Sequence, residues 1–390
     1  MAAVRIPAKG SRIMRKVRLP VFICLAMLMT APLAHAAQPY PVFQVDPGWP
    51  KQLPHGYIFG PSGGVTVDSH DNVWIYSRPA TVRVTLNNPP DEASGQPAPS
   101  VVELAPDGRF IQGWGGVLAM SESERARFDW PVQEHGIAVD AKGNVWVCGN
   151  GQDGKTGRDD DQCLKFTYDG KFLLQIGHSG KGKGSLDREN LGHPSQPVYW
   201  AKTNELFVSD GYANRRVYVA DADTGAFRRM WGAYGHVPDD NAPRDRVYDP
   251  PPLQFNLLHG LTISKDGTVY VAERNSNRVQ AFTLDGGFLK EGWVAPSTPQ
   301  HDFGTAFGVA LSGDKSQRFL YVADGHNERI HVLDRQTLKE IPGSAFGHAG
   351  PYPGQFVNIH VIASDSKGNL YVGDGGGRFQ KFVFKGLSHG

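Results

Sequence analysis

The chain has 390 residues, with 47 glycines, 28 prolines, 11% aromatic residues and only 3 cysteines, a composition that suits a turn-rich β domain. Its 40 basic and 39 acidic residues give a formal charge of +1, but six of the basic ones, Arg5, Lys9, Arg12, Arg15, Lys16 and Arg18, fall within the first 36 residues. Without that segment 34 basic residues face 39 acidic ones, a charge of −5, which excludes an extended basic surface for nucleic acid.

The same 36 residues read as a secretory signal peptide. A basic front is followed by the apolar run Leu19 to Met29 and by Ala34-His35-Ala36, a small-x-small cleavage pattern. The run is too short for a mature membrane span, and no lipid-anchor motif surrounds Cys24. The expectation is a periplasmic or secreted protein with no stable membrane anchor, comprising a leader at 1–36 and one domain at 37–390. Only Cys148 and Cys163 remain after cleavage, both on expected strands of one repeat. In an oxidising compartment they form either a cross-strand disulfide or two buried thiols.

Along the mature chain one pattern recurs. GVTVDSHDNVWIYSRP starts at Gly64, GIAVDAKGNVWVCGN at Gly136 and PVYWAKTNELFVSDGYANRRVYVAD at Pro197. GLTISKDGTVYVAERNSNRVQAF starts at Gly260, GVALSGDKSQRFLYVADGHNERIHVLD at Gly308 and VIASDSKGNLYVGDGGGRFQKFVF at Val361. Each copy is two alternating apolar segments around a Gly- or Asp-rich turn with a third strand behind, which is a meander of short antiparallel strands. One copy alone cannot bury its apolar face. Six copies therefore predict an all-β, six-bladed β-propeller of four-stranded antiparallel blades. Val42 to Val45 is expected to pair with Phe379 to Phe384 and close the ring. Pro79 to Pro99 and Gly149 to Asp161 read as polar insertions on one face.

The first strand of a propeller blade lines the central channel. Three blades place a histidine just ahead of that strand's apolar run: His135, His259 and His360. Alone, each reads as a polar residue in a hydrated channel. Three in phase read as a tridentate site with an open position, the arrangement of catalytic rather than structural Zn²⁺. One strand later lie Arg78, Tyr212 and Arg274. The two guanidiniums suit a carboxylate substrate, the alternative being salt bridges between blades. Tyr212, beside them and a cation, is expected to have a lowered pKa and to serve as a general base.

The turns Asn369-Leu370-Tyr371-Val372-Gly373-Asp374 and the Gly350 to Phe356 segment GPYPGQF resemble NHL-repeat propellers. FVSDGYANRRV, HGLTISKDGTVYVAERNSNRVQAF and NIHVIASDSKGNLYVGD resemble the blades of the peptidylglycine-amidating lyase family, over Gly60 to about Phe384. The resemblance implies cleavage of an α-hydroxyglycine N–C bond to an amide and glyoxylate. It implies zinc on His135, His259 and His360, with Tyr212, Arg78 and Arg274 catalytic. It also implies a Ca²⁺ held through the backbone carbonyls of Val65 and Ile137 and by an aspartate, at whose position this chain has Val361. The family's cysteine beside the catalytic tyrosine is replaced by Ala213, and the hydroxylated precursor is expected from a separate enzyme. Two other readings remain: a lactonase-like, metal-dependent hydrolase, which favours a carboxylate-rich calcium site, and an exported propeller that binds a ligand or partner without catalysis.

Overall fold

The alternation of apolar residues around tight turns builds six antiparallel sheets of four strands in the computed structural model, which describes residues 38–82, 95–244, 251–298 and 303–388. The expected signal peptide and residues 83–94 of the Pro79 to Pro99 insertion lie outside the described residues. The first strand of each blade runs along the axis: Ser62–Val67, Glu134–Val139, Pro194–Trp200, Leu258–Ile263, Gly308–Leu311 and Ile359–Ser364. Each of these packs beside the next, and the sixth returns to the first, so the ring closes. As expected, the last blade is completed by both ends of the chain. Pro41–Asp46 pairs with Phe379–Leu387, Phe43 opposite Phe384 and Val45 opposite Phe382.

The recurrent Asp-x-x-Gly-Asn turn has a local cause. In the second blade the Asp140 carboxylate accepts the N–H groups of Lys142 and Asn144 at 2.8 and 2.9 Å, and the Asn144 amide donates back to it at 2.9 Å. In the sixth blade Asp365 does the same with Lys367 and Asn369. The intervening Gly143 and Gly368 sit at φ +79 and +83, where a side chain would be strained. The motif thus fixes hairpin register, and register fixes which residues face the axis.

Packing is radial. Trp74, Tyr76 and Val101 of the first blade interlock with Ile137, Val147, Leu164 and Phe166 of the second. Trp200, Phe207 and Trp231 of the third likewise meet Leu261, Val271 and Phe282 of the fourth. Each such fully buried side chain contributes roughly 1.5–3 kcal/mol. Cys148 and Cys163 lie directly opposite each other on neighbouring strands of the second blade and are disulfide-bonded. Among the described residues no helix is long and apolar enough to cross a membrane.

Candidate metal centre and catalytic site

Four consecutive blades present a side chain at one mouth of the channel by one device. The residue after, or just after, the second strand turns inward and donates its backbone N–H to the carbonyl of the residue preceding the first strand. Arg78 donates to Pro61, Asn150 to Gln133 and Arg274 to Leu257, each at 3.0 Å, and Tyr212 donates to His193 at 3.4 Å. In the fifth blade Gly325 occupies this position, and a Cβ there would meet the Phe307 ring at 2.7 Å.

Beneath these residues the three histidines converge. They are buried, with exposures of 1, 2 and 6% for His135, His259 and His360. The His259 Nε2 lies 3.1 Å from the His135 Nε2 and 3.0 Å from the His360 Nε2. Their other ring nitrogens settle the tautomers of two of them. The His259 Nδ1 faces the Phe307 carbonyl at 2.9 Å, and the His360 Nδ1 faces the Ser62 carbonyl at 2.8 Å. A carbonyl only accepts, so each Nδ1 carries the hydrogen and each Nε2 points a lone pair inward. Opposed lone pairs at 3 Å repel unless a cation lies between them, and nitrogens bound tetrahedrally to Zn²⁺ at 2.0–2.1 Å would be about 3.3 Å apart. Burial, the neighbouring imidazoles and the two guanidiniums hold His135 and His360 well below the ordinary histidine pKa, and burial with Arg274 takes His259 down to about 3. Neutral imidazoles are the form a metal requires. Among the described residues this is the only cluster of His, Cys, Asp or Glu side chains suited to hold an ion.

The Tyr212 Oη lies 3.3 Å from the His135 Nε2 and accepts from the Arg274 Nη1 at 3.3 Å. Arg274 is sandwiched by aromatics, with its guanidinium 4.6 Å from the Phe307 ring and 5.1 Å from the Phe303 ring. Arg78 donates its Nε to the Glu134 carbonyl at 2.9 Å. The salt bridge expected as the alternative does not form among the described residues, and the Glu134 carboxylate accepts from Ser100 and Trp130. The structure thus brings together all six residues expected at the site.

Two expectations need correction or restriction. Burial raises the Tyr212 pKa above its ordinary value, with Arg274, Arg78 and Asn150 pulling the other way, so lowering it requires a further positive charge. The calcium set does not fit this chain. Val361 packs in an apolar cluster with Val65, and the Ile137 carbonyl accepts from the Gln196 side chain at 3.2 Å. Past the histidines toward the opposite face, the inner strands enclose a cavity of about 260 Å³.

Asn150 was not singled out from sequence. The signal was its register, identical to that of Arg78 and Arg274, but asparagine after a strand reads as an ordinary turn residue.

The fold is a six-bladed β-propeller, and the NHL repeat model matches residues 255–282. Its homologues include proteins named amidating lyases: the chain is 26% identical over 274 residues to peptidyl-alpha-hydroxyglycine alpha-amidating lyase 2 of Drosophila melanogaster, covering 69% of this chain and 55% of that protein. It is 31% identical over 250 residues to peptidyl-glycine alpha-amidating monooxygenase A of Xenopus laevis, covering 62% of this chain but only 23% of that much longer protein. It is also 26% identical over 353 residues to NHL repeat-containing protein 3 of Mus musculus, covering 88% of this chain and 84% of that protein. A solved streptogramin B lyase shares the fold, with a TM-score of 0.50 at 13% identity over 90% of this chain and 100% of that one.

Proposed function

We propose that this protein is a zinc-dependent carbon–nitrogen lyase that cleaves an α-hydroxy-α-amido acid to an amide and glyoxylate. The observation that carries the reading is the stacking of two guanidiniums and a phenol directly over three converging imidazole nitrogens. Homologues named amidating lyases support it.

His135, His259 and His360 would hold the zinc, which would supply a Lewis acid that makes a substrate hydroxyl easier to ionise. Arg78 and Arg274 bind the substrate carboxylate. A guanidinium holds a carboxylate through paired N–H donors, and two of them concentrate positive charge where that anion would sit. Tyr212, as the phenolate, takes the hydroxyl proton at Oη. Collapse to the aldehyde breaks the N–C bond, and the same proton passes from Oη to the leaving nitrogen. The proton count closes without a second acid. The disulfide in the second blade agrees with function outside the cytoplasm, where the leader would send the chain.

The test is elemental analysis of protein purified without chelator, together with glyoxylate release from α-hydroxyhippurate. About one zinc per chain and turnover are expected. Metal-free protein that takes up no zinc and releases no glyoxylate would overturn the reading. It would favour the second one, a binding propeller, for which the longer alignment with NHL repeat-containing protein 3 speaks.

A further inference from the structure

The substrate class proposed above has three polar handles: a carboxylate, a hydroxyl and an amide N–H. The residues assigned so far account for the first two. At the mouth Arg78 and Arg274 are donors that the carboxylate occupies, and the Tyr212 oxygen is engaged by the Arg274 Nη1 and the substrate hydroxyl, so the N–H of the scissile bond needs an acceptor of its own.

Asn150 supplies one. It occupies the position in the second blade that Arg78 and Arg274 occupy in the first and fourth, and is held by the same backbone bond, its N–H on the Gln133 carbonyl at 3.0 Å. Its side chain interacts with the Tyr212 phenol. Its Oδ1 is shielded from solvent and accepts no hydrogen bond. A buried carbonyl oxygen left unpaired is destabilising, and a ligand donor would relieve it. The Asn275 Oδ1 is also unpaired, but only Asn150 combines this with contact to the phenol.

The frame around Asn150 is rigid. The buried Asp160 carboxylate accepts the N–H groups of Val132, Gln133 and Gly151 at 2.7, 3.0 and 2.6 Å, tying the Asn150 turn to the strand that carries His135. The disulfide closes the loop immediately outside it. We propose that the Asn150 Oδ1 is the acceptor for the amide N–H of the substrate, so that this site selects N-acyl over O-acyl compounds. The assignment rests on the lyase reading for the identity of the carboxylate ligand. It predicts that replacing N–H by an ester oxygen sets two lone pairs against each other at Asn150.

The experiment compares binding of hippurate and of O-benzoylglycolate, which differ only in N–H against O, by calorimetry on zinc-loaded protein. The parent is expected to bind the ester about 10-fold or more weakly, since a site built around a hydrogen bond rejects the ligand lacking it. In Asn150→Ala that ratio should fall to within about 2-fold, and in Asn150→Asp, which keeps an acceptor, it should persist. Zinc content and thermal midpoint report whether each variant is folded. A misfolded Asn150→Ala is replaced by the near-isosteric Asn150→Leu. An unchanged ratio in the variant without an acceptor, or equal binding of both ligands by the parent, overturns the assignment. Failure of the parent to bind either ligand overturns it together with the carboxylate site. Discrimination without glyoxylate release from α-hydroxyhippurate leaves Asn150 assigned and removes the lyase reading alone.

Discussion

Arg78 donates its Nε to the carbonyl of Glu134, the residue immediately before His135, at 2.9 Å. A guanidinium aimed at the mouth is thereby braced on the strand that carries the His135 imidazole. Arg78 and His135 therefore depend on one strand end. Arg78→Ala is expected to lower kcat/KM for glyoxylate release by about 100-fold or more, the usual cost of removing one preorganised charge partner. Arg78→Lys keeps the charge but not the fork or the brace, and should recover only part of that loss. Turnover within a few-fold of the parent in Arg78→Ala would remove the residue from the site.

His259 occupies the centre of the triad, its Nε2 3.1 and 3.0 Å from the other two. His259→Ala is expected to reduce zinc from about one per chain to near zero by elemental analysis, with a native circular dichroism spectrum. His178→Ala, at an exposed histidine in the second blade, should keep its zinc. Full zinc retention by His259→Ala would show that the ion binds elsewhere.

The three histidines were legible because the Asp-x-x-Gly-Asn turns of the second and sixth blades and the Ser264 to Thr268 turn of the fourth fix register, and register decides which side chain meets the axis. What sequence could not carry is what depends on a neighbour's backbone or on depth. The Phe307 and Ser62 carbonyls that set the tautomers of His259 and His360 leave no mark in residue identity. The direction of the Tyr212 shift depends on burial outweighing two guanidiniums, a contest that only the packed structure decides. Asn150 escaped because an amide at a strand end has an ordinary explanation, whereas an arginine there does not.

His331 predicts an alkaline limit to stability. Burial pulls its pKa down, but Asp324 at 2.9 Å and Glu340 at 3.0 Å outweigh burial and raise it to about 9. An unfolded histidine titrates near 6.5. The ion-paired form therefore stabilises the fold fully below about pH 6.5, and that stabilisation is lost as pH rises toward 9. The contribution is on the order of 3 kcal/mol. The thermal midpoint should fall by a few degrees between pH 6.5 and 9.5, and His331→Gln should lower it at pH 6.5 while flattening the pH dependence. A His331→Gln midpoint that follows pH as the parent's does would assign the alkaline loss to other groups.

The disulfide links stability to the site. Cys148 and Cys163 are separated by 15 positions in sequence, and the loop they close carries both Asn150 and Asp160. A loop of this length predicts about 3 kcal/mol from restricting the unfolded chain. Reduction, or Cys148→Ser with Cys163→Ser, should lower the thermal midpoint. If the crosslink acts only on the unfolded state, binding of hippurate well below that midpoint will match the parent, because the three N–H bonds to Asp160 still hold the turn. If the crosslink also fixes the folded turn, hippurate binding will weaken while zinc content stays the same, since His135 is held on a strand outside the loop. Calorimetry and elemental analysis on the reduced protein at 25 °C distinguish the two. We expect the first outcome, because the hydrogen bonds and not the sulfur bridge contact the residues that carry Asn150 and His135.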